Sequence, residues 1–63
     1  MKFVDWEGRP AVMSGGRAWA ILDRGDDWEE VDAPEVGDSG RVLASEEAMR
    51  AEFSGTFGPL PPL

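Results

Sequence analysis

Residues 11–22, AVMSGGRAWAIL, decide the fold predicted for this chain. Gly15 and Gly16 are adjacent, and both tolerate positive φ, which favours the tight two-residue turn whose twist matches a β-hairpin. Apolar and β-compatible residues flank the pair on each side. The sequence therefore predicts antiparallel strands at residues 11–14 and 17–22.

A second turn is predicted at Glu7-Gly8, between strands at residues 2–6 and 9–12, although Glu is less favourable there than Asn or Asp. If both loops contain two residues, Val12 lies opposite Phe3 in one neighbouring strand and Trp19 in the other. This register assigns every residue of the three strands to one face of the sheet.

Both predicted faces are apolar, which a solvent-exposed sheet would not tolerate. One face carries Phe3, Val12, Trp19 and Ile21, and the other carries Val4, Trp6, Ala11, Met13, Ala18, Ala20 and Leu22. The sheet must therefore close into a small barrel or be covered on both sides by the carboxyl-terminal half of the chain.

The following segment alternates turn signals with short apolar runs. Residues 23–27 contain Gly25 and predict a loop, and residues 28–32 predict a charged strand at an exposed edge of the sheet. Residues 33–40 predict a loop, with one helical turn after Asp32 or Pro34 as the alternative. Residues 41–43 predict a further short strand.

A helix is predicted from Ser45 to Phe53, because Ser45 is a favourable N-cap and two glutamates follow it. Met49 and Phe53 are four residues apart and share a helix face, which we expect to dock on the sheet. Glu46 and Arg50 form an i,i+4 pair on the surface. Gly55 is expected to end the helix.

The carboxyl-terminal residues 55–63 predict an extended, Pro-rich tail. Two interpretations remain open: its apolar residues pack back across the domain, or the PxxP pattern binds a partner's aromatic groove. The residues involved are Phe57, Pro59, Leu60, Pro62 and Leu63.

The predicted fold class is α+β and β-rich: a small antiparallel meander or SH3-like barrel of four or five short strands with one C-terminal helix. Residues 1–54 would form the single domain and residues 55–63 the tail. Many unrelated small domains share this plan, so the fold class carries no function.

Composition argues against an enzyme. The chain has 63 residues and contains no histidine, cysteine or tyrosine, so the usual nucleophile and base pairs, the zinc ligands and the haem ligands are missing. Asp23, Asp26 and Asp27 around Gly25 supply oxygen atoms, but their spacing does not match a calcium-binding loop. We expect no cofactor and no metal site.

Charge points to a protein partner. The net charge is −7, and thirteen acidic residues face six basic ones, which disfavours direct contact with nucleic acid or an anionic membrane. A basic protein surface is the electrostatic complement. No signal sequence or apolar run of about 20 residues is visible, so a soluble, cytoplasmic protein is expected.

The candidate binding segment holds six of the thirteen carboxylates within ten residues, around one tryptophan. Trp28 is either a cover for the core or an exposed anchor for a partner. The predicted site residues are Asp23, Asp26, Asp27, Trp28, Glu29, Glu30 and Asp32.

Three functional hypotheses follow. The first is a non-catalytic interaction module, an adaptor or inhibitor-like protein that binds a basic surface through residues 23–32. The second is an acidic mimic of nucleic acid that occupies a DNA- or RNA-binding protein. The third is a small subunit of a homo- or hetero-oligomer, such as a dimer, completed by the tail or by an open sheet edge.

Overall fold

Five antiparallel strands and two helices make up the described part of the chain. The computed structural model describes residues 1–23, 27–54 and 57–62. The elements are β1 (Lys2–Trp6), β2 (Arg9–Ser14), β3 (Arg17–Ala20), β4 (Glu29–Val31), α1 (Ala33–Ser39), β5 (Arg41–Leu43) and α2 (Glu46–Glu52).

The strands form one open sheet in the order β4-β3-β2-β1-β5. The first four strands are a meander, and α1 then carries the chain across one face of the sheet so that β5 pairs with β1. The predicted α+β, β-rich class is confirmed. The SH3-like barrel is not confirmed, because β4 and β5 are the two opposite edges of the sheet.

Both predicted hairpins are present. Gly15 and Gly16 have φ values of 58° and 78°, and Glu7 and Gly8 have values of 53° and 82°. A positive φ is unfavourable for a residue with a side chain such as Glu7. The carboxylate of Asp5 supports this turn by accepting a hydrogen bond of 2.9 Å from the backbone N–H of Gly8.

The predicted register is confirmed: Val12 pairs with Phe3 in β1 and with Trp19 in β3. Each face of the sheet therefore carries the residues assigned to it, most of them buried and Phe3, Met13 and Leu22 partly buried. Ala11, Ala18 and Ala20 pack toward α1, while Val12 and Ile21 pack toward α2.

Helix α1 differs from the prediction, which assigned a loop with at most one helical turn. The local signals are mixed: Pro34 lies in the first turn, where proline is tolerated, but Asp32 makes no side-chain capping hydrogen bond and Gly37 disfavours the helix interior. Long-range contacts stabilise α1 instead. Val36 is fully buried, and Nε1 of Trp6 donates to Oγ of Ser39 at 3.0 Å.

Helix α2 matches the prediction. Oγ of Ser45 accepts a hydrogen bond from the backbone N–H of Ala48 at 3.1 Å. Met49 is buried on the face of the sheet that carries Val12 and Ile21, and Phe53 packs against the same cluster. Gly55 lies outside the described residues. Neither of the two helices in the described ranges is long and apolar enough to cross a membrane.

The strand limits change slightly. The predicted fifth strand at residues 41–43 is confirmed, while the fourth strand is one residue shorter at each end than predicted, and the third ends at Ala20 rather than residue 22. The fourth strand lies at an edge, as its charges predicted.

Gly40, between α1 and β5, is a point of very close approach. Its N–H donates to the carbonyl oxygen of Val36 at 2.8 Å. A Cβ atom on Gly40 would overlap that same oxygen and a methyl group of Val4. Gly37, in α1, is different, because a Cβ there would make only an ordinary contact of 3.7 Å with Met13.

We predict that Gly40→Ala lowers the free energy of unfolding by about 1–3 kcal/mol, since the methyl group must displace backbone or core atoms. The matched variant Gly37→Ala should raise it by about 0.5–1 kcal/mol, because alanine stabilises a helix relative to glycine. Urea unfolding followed by tryptophan fluorescence measures both. Equal stability of the two variants would contradict the packing described for Gly40.

Candidate functional site

Besides Glu30, five of the ten exposed acidic residues in the described ranges lie along β4 and α1. Asp27 precedes β4, Glu29 lies within it, Asp32 precedes α1, and Glu35 and Asp38 lie on α1; all five are exposed. We call these five residues the acidic segment. Residues 27–40 contain no lysine or arginine, so no neighbour in sequence offsets their charge.

Carboxylates elsewhere in the described ranges are often neutralised. Arg41 contacts Asp5 at 3.0 Å and Glu52 at 2.9 Å, and Arg50 contacts Glu46 at 3.0 Å. Among the described residues, no ion pair or side-chain hydrogen bond involves a carboxylate of the acidic segment. Within the described ranges, the carboxylates of the acidic segment therefore face solvent without a cationic partner.

Glu30, a predicted binding residue in β4, is paired within the chain. Its carboxylate accepts two hydrogen bonds from the guanidinium of Arg17, at 2.8 and 3.0 Å, while that guanidinium lies 4.9 Å above the ring centroid of Trp19. The hydrogen bonds from Arg17 are the main reason why the pKa of Glu30 is lowered, despite a smaller opposing effect of desolvation. Glu30 is therefore engaged within the chain and does not belong to the acidic segment.

Trp28 covers the core, which is the first of its two predicted roles. Its ring packs edge-on against Phe57 with centroids 5.6 Å apart, and its Nε1 donates to the carbonyl oxygen of Pro59 at 2.8 Å. The indole N–H is thus used inside the chain. Trp28 holds the carboxyl-terminal residues against the sheet rather than standing free as an anchor.

Two predicted site residues, Asp23 and Asp26, do not belong to the acidic segment. Asp23 is exposed and lines an open depression of about 450 Å³ together with Glu7 and Arg9 at the β1–β2 turn. Asp26 lies outside the described residues. The depression brings one cation, Arg9, and two carboxylates, Glu7 and Asp23, to the same end of the sheet. None of the three forms an ion pair with a described residue.

The carboxyl-terminal residues pack on the domain. Phe57 is only 5 % exposed, and Leu60 is partly buried in the same cluster. Pro59 and Pro62 are exposed, and Leu63 lies outside the described residues. Phe57 has little exposed surface, and the tail-binding interpretation stays a prediction.

Arg50 clamps this segment to α2. Its guanidinium donates to the carbonyl oxygens of Phe57 and Gly58, both at 3.1 Å, and lies 4.6 Å from the centroid of the Phe57 ring. A planar guanidinium can make these contacts and the hydrogen bond to Glu46 at the same time, whereas an ammonium group cannot.

We predict that Arg50→Lys lowers the free energy of unfolding by about 1–2 kcal/mol, because the stacking and at least one carbonyl contact are lost. Arg41→Lys is the charge-matched control. Its ion pairs lie on the surface, where such pairs contribute about 0–1 kcal/mol. Urea unfolding compares the variants, and a larger effect at Arg41 would contradict the assigned clamp.

Two acidic residues of the site were not predicted. Glu35 and Asp38 lie on α1, which the sequence assigned to a loop. The absence of lysine and arginine from residues 27–40 is the signal that would have extended the acidic segment beyond Asp32. Asp38 also lies in the last turn of α1, which contains no basic residue, although a negative charge there is unfavourable for the helix.

No group of three acidic side chains converges closely enough to hold a metal ion within the ranges 1–23, 27–54 and 57–62. Asp26, one of the carboxylates considered for calcium, is not among those residues. The expectation that the chain has no metal site therefore stays a prediction.

Comparison with known proteins gives no relative from which a role can be transferred. No family model matches the sequence, and neither a curated protein nor a solved structure matches the chain. A function must therefore be argued from the site itself.

We predict that Glu30→Gln destabilises the protein at pH 7 and that this difference shrinks at acidic pH. The pKa of Glu30 in the folded protein is below its ordinary value of 4.5, so its stabilising effect is present above about pH 4.5 and is lost as the pH falls through the folded-state pKa. Urea unfolding at a series of pH values measures the effect. Glu29→Gln, on the same strand without an ion pair, is the control and should show no such convergence.

Proposed function

We propose that this protein is a non-catalytic interaction module that binds a basic protein surface through the acidic segment, and that it does so in the cytoplasm. The observation that carries the proposal is the distribution of ion pairs. Arg17, Arg41 and Arg50 pair with other carboxylates, while the five carboxylates of the acidic segment have no ion-pair partner among residues 1–23, 27–54 and 57–62.

The position of the acidic segment suits encounter with a partner. It follows an edge strand and the outer surface of a helix, so the charges are accessible without any change in the fold. Grouped charges of one sign raise association rates with an oppositely charged surface. At physiological ionic strength this attraction acts over about 8 Å, so binding should weaken as salt rises.

Helix energetics support a role for these charges beyond folding. A carboxylate in the last turn of a helix opposes the helix dipole by about 0.3–1 kcal/mol. Asp38 occupies that position in α1, and nothing in the described structure compensates for it. A role in solubility would explain negative charge in general, but it would not require charge at this position.

The specificity of the proposed interface needs a source other than Trp28. Trp28 is engaged with Phe57 and Pro59, so it is not the anchor of the proposed interface. Specificity would instead come from charge geometry along β4 and α1. If the basic surface is a nucleic-acid-binding groove, the same proposal describes a nucleic-acid mimic, and competition with duplex DNA would identify that case.

We predict that the double variant Glu29→Lys with Asp38→Lys loses its partner, because it reverses two charges within the acidic segment. The matched control is Glu7→Lys with Glu47→Lys, which changes the net charge equally at two exposed residues outside that segment. Affinity capture from source cells at low and high salt, with captured proteins quantified by mass, compares both variants with the natural sequence.

The expected outcome is a set of basic proteins retained by the control, lost by the variant in the acidic segment, and released by high salt. Thermal unfolding followed by circular dichroism should show both variants folded, since all four positions are exposed. Equal loss of capture in both variants would show that net charge alone matters. Unchanged capture by both would overturn the proposal.

A further inference from the structure

Residues 57–62, which we call the strap, are held on the domain by side chains rather than by strand pairing. The strap contains no helix or strand, and no hydrogen bond between described backbone groups joins it to the rest of the chain. Three of its carbonyl oxygens accept hydrogen bonds from side chains instead. Arg50 donates to those of Phe57 and Gly58, and Nε1 of Trp28 donates to that of Pro59.

The exposure of the strap residues follows a period of three. Phe57 and Pro61 are buried and Leu60 is partly buried, while Pro59 and Pro62 are exposed. Polyproline II has three residues per turn, so two side chains in three can contact a surface while the third points away from it. The chain bends at Pro59, so the period describes which side chains make contact and not a regular helix.

The surface beneath the strap has the features of a groove for an extended peptide. Phe57 belongs to a buried apolar cluster formed with the sheet and α2, and Leu60 packs against that cluster. The ring of Trp28 and the guanidinium of Arg50 both contact the Phe57 ring. Proline-rich segments bind in aromatic-lined grooves, and their carbonyl oxygens are free to accept hydrogen bonds because the extended chain has no internal ones.

The groove is built by elements other than the strap. Trp28 directly precedes β4, and Arg50 lies on α2. Neither the pairing of the strands nor the helix includes a strap residue. The donors bind backbone carbonyl oxygens, which every peptide has, and a proline has no N–H that would lose a hydrogen bond on burial. A similar segment of another protein can therefore make the same contacts.

Charge favours one kind of external segment over the strap. The strap contains no charged residue, while the whole chain has a net charge of −7. A segment with lysine or arginine beside its prolines gains an attraction that the strap lacks. A second copy of the chain would instead bring a further charge of −7, which opposes its approach.

We propose that Trp28, Arg50 and the apolar cluster beside them form a peptide-binding groove, and that the strap occupies this groove as an intramolecular ligand. The external ligand is a proline-rich segment of another protein with basic residues beside the prolines. This inference goes beyond the proposed function, because Trp28 and Arg50 lie outside the acidic segment.

The strap sets the threshold for external binding. Only Gly55 and Thr56 separate it in sequence from Ser54. A connection this short holds a ligand at an effective concentration in the millimolar range. The strap therefore excludes weak ligands and is displaced by a segment that binds more tightly, so a change that weakens the strap should raise the affinity for an added peptide.

A peptide added to the full chain tests the groove. The probe has the sequence of residues 57–62 followed by two lysines, and the matched peptide ends in two glutamates instead. Phe57→Ala weakens the strap but keeps both donors of the groove, so this variant should bind the lysine peptide at least about tenfold more tightly than the natural chain. Pro62→Ala, at an exposed strap residue, is the control and should bind like the natural chain. Calorimetry measures each affinity.

The indole N–H signals in NMR spectra locate the bound peptide. In Phe57→Ala, the lysine peptide should shift the signal of Trp28. It should leave the signal of Trp6 unchanged, since that N–H is bonded to Ser39 beside α1. Adding Trp28→Phe keeps an aromatic ring but removes the donor to the peptide, and should weaken binding at least about fivefold.

Leu60→Ala provides a second strap variant if circular dichroism shows that Phe57→Ala is unfolded. Leu60 is only partly buried, so its truncation removes less apolar contact. It should tighten binding of the lysine peptide in the same direction as Phe57→Ala, by a smaller factor.

Equal affinity of the lysine peptide for the natural chain and for the strap variants would overturn the proposed groove. Unchanged affinity after Trp28→Phe would also overturn it. Equal binding of the lysine and glutamate peptides would contradict the basic ligand. A dimer of the natural chain in sedimentation equilibrium, with a Trp28 signal that changes as the dimer forms, would assign the groove to the strap of a second copy and contradict the external ligand.

Discussion

The sheet has apolar residues on both faces, and this constraint organises the rest of the molecule. Ala11 and Val12 are neighbours in the central strand β2, and both are completely buried, one toward α1 and the other toward α2. A chain of 63 residues has little material with which to cover two faces. Each cover therefore depends on few side chains: Val36 from α1, and Met49 with Phe57 on the opposite side.

The same shortage determines how the arginines are used. Arg50 ties the residues around Phe57 to α2, Arg41 links β5 to β1 and α2, and Arg17 joins β3 to β4. The cations of these three residues consequently serve the fold, and none of them pairs with a carboxylate of the acidic segment.

Local signals in the sequence were sufficient for the hairpins and for α2. Gly15-Gly16 fixed the turn and hence the register of Val12 with Trp19, and Ser45 identified the helix start. Helix α1 was missed because its stability comes from Val36 and the Trp6–Ser39 hydrogen bond, which join residues far apart in sequence. The pairing of Glu30 with Arg17 required the β3–β4 register, and no turn of known length defined it.

Coverage of both faces also determines where a partner can bind. Strands β1, β2 and β3 are enclosed by helices and by neighbouring strands, so they have little surface to offer. With the strap in place, binding must therefore use the outer surfaces of the helices or the two sheet edges, and these edges have opposite chemistry. The β4 edge carries Glu29 and Glu30, whereas Val42 at the β5 edge is apolar and exposed. Three strands lie between the two edges, and the acidic segment crosses this distance along α1, since Asp38 precedes Arg41 of β5 by only three residues.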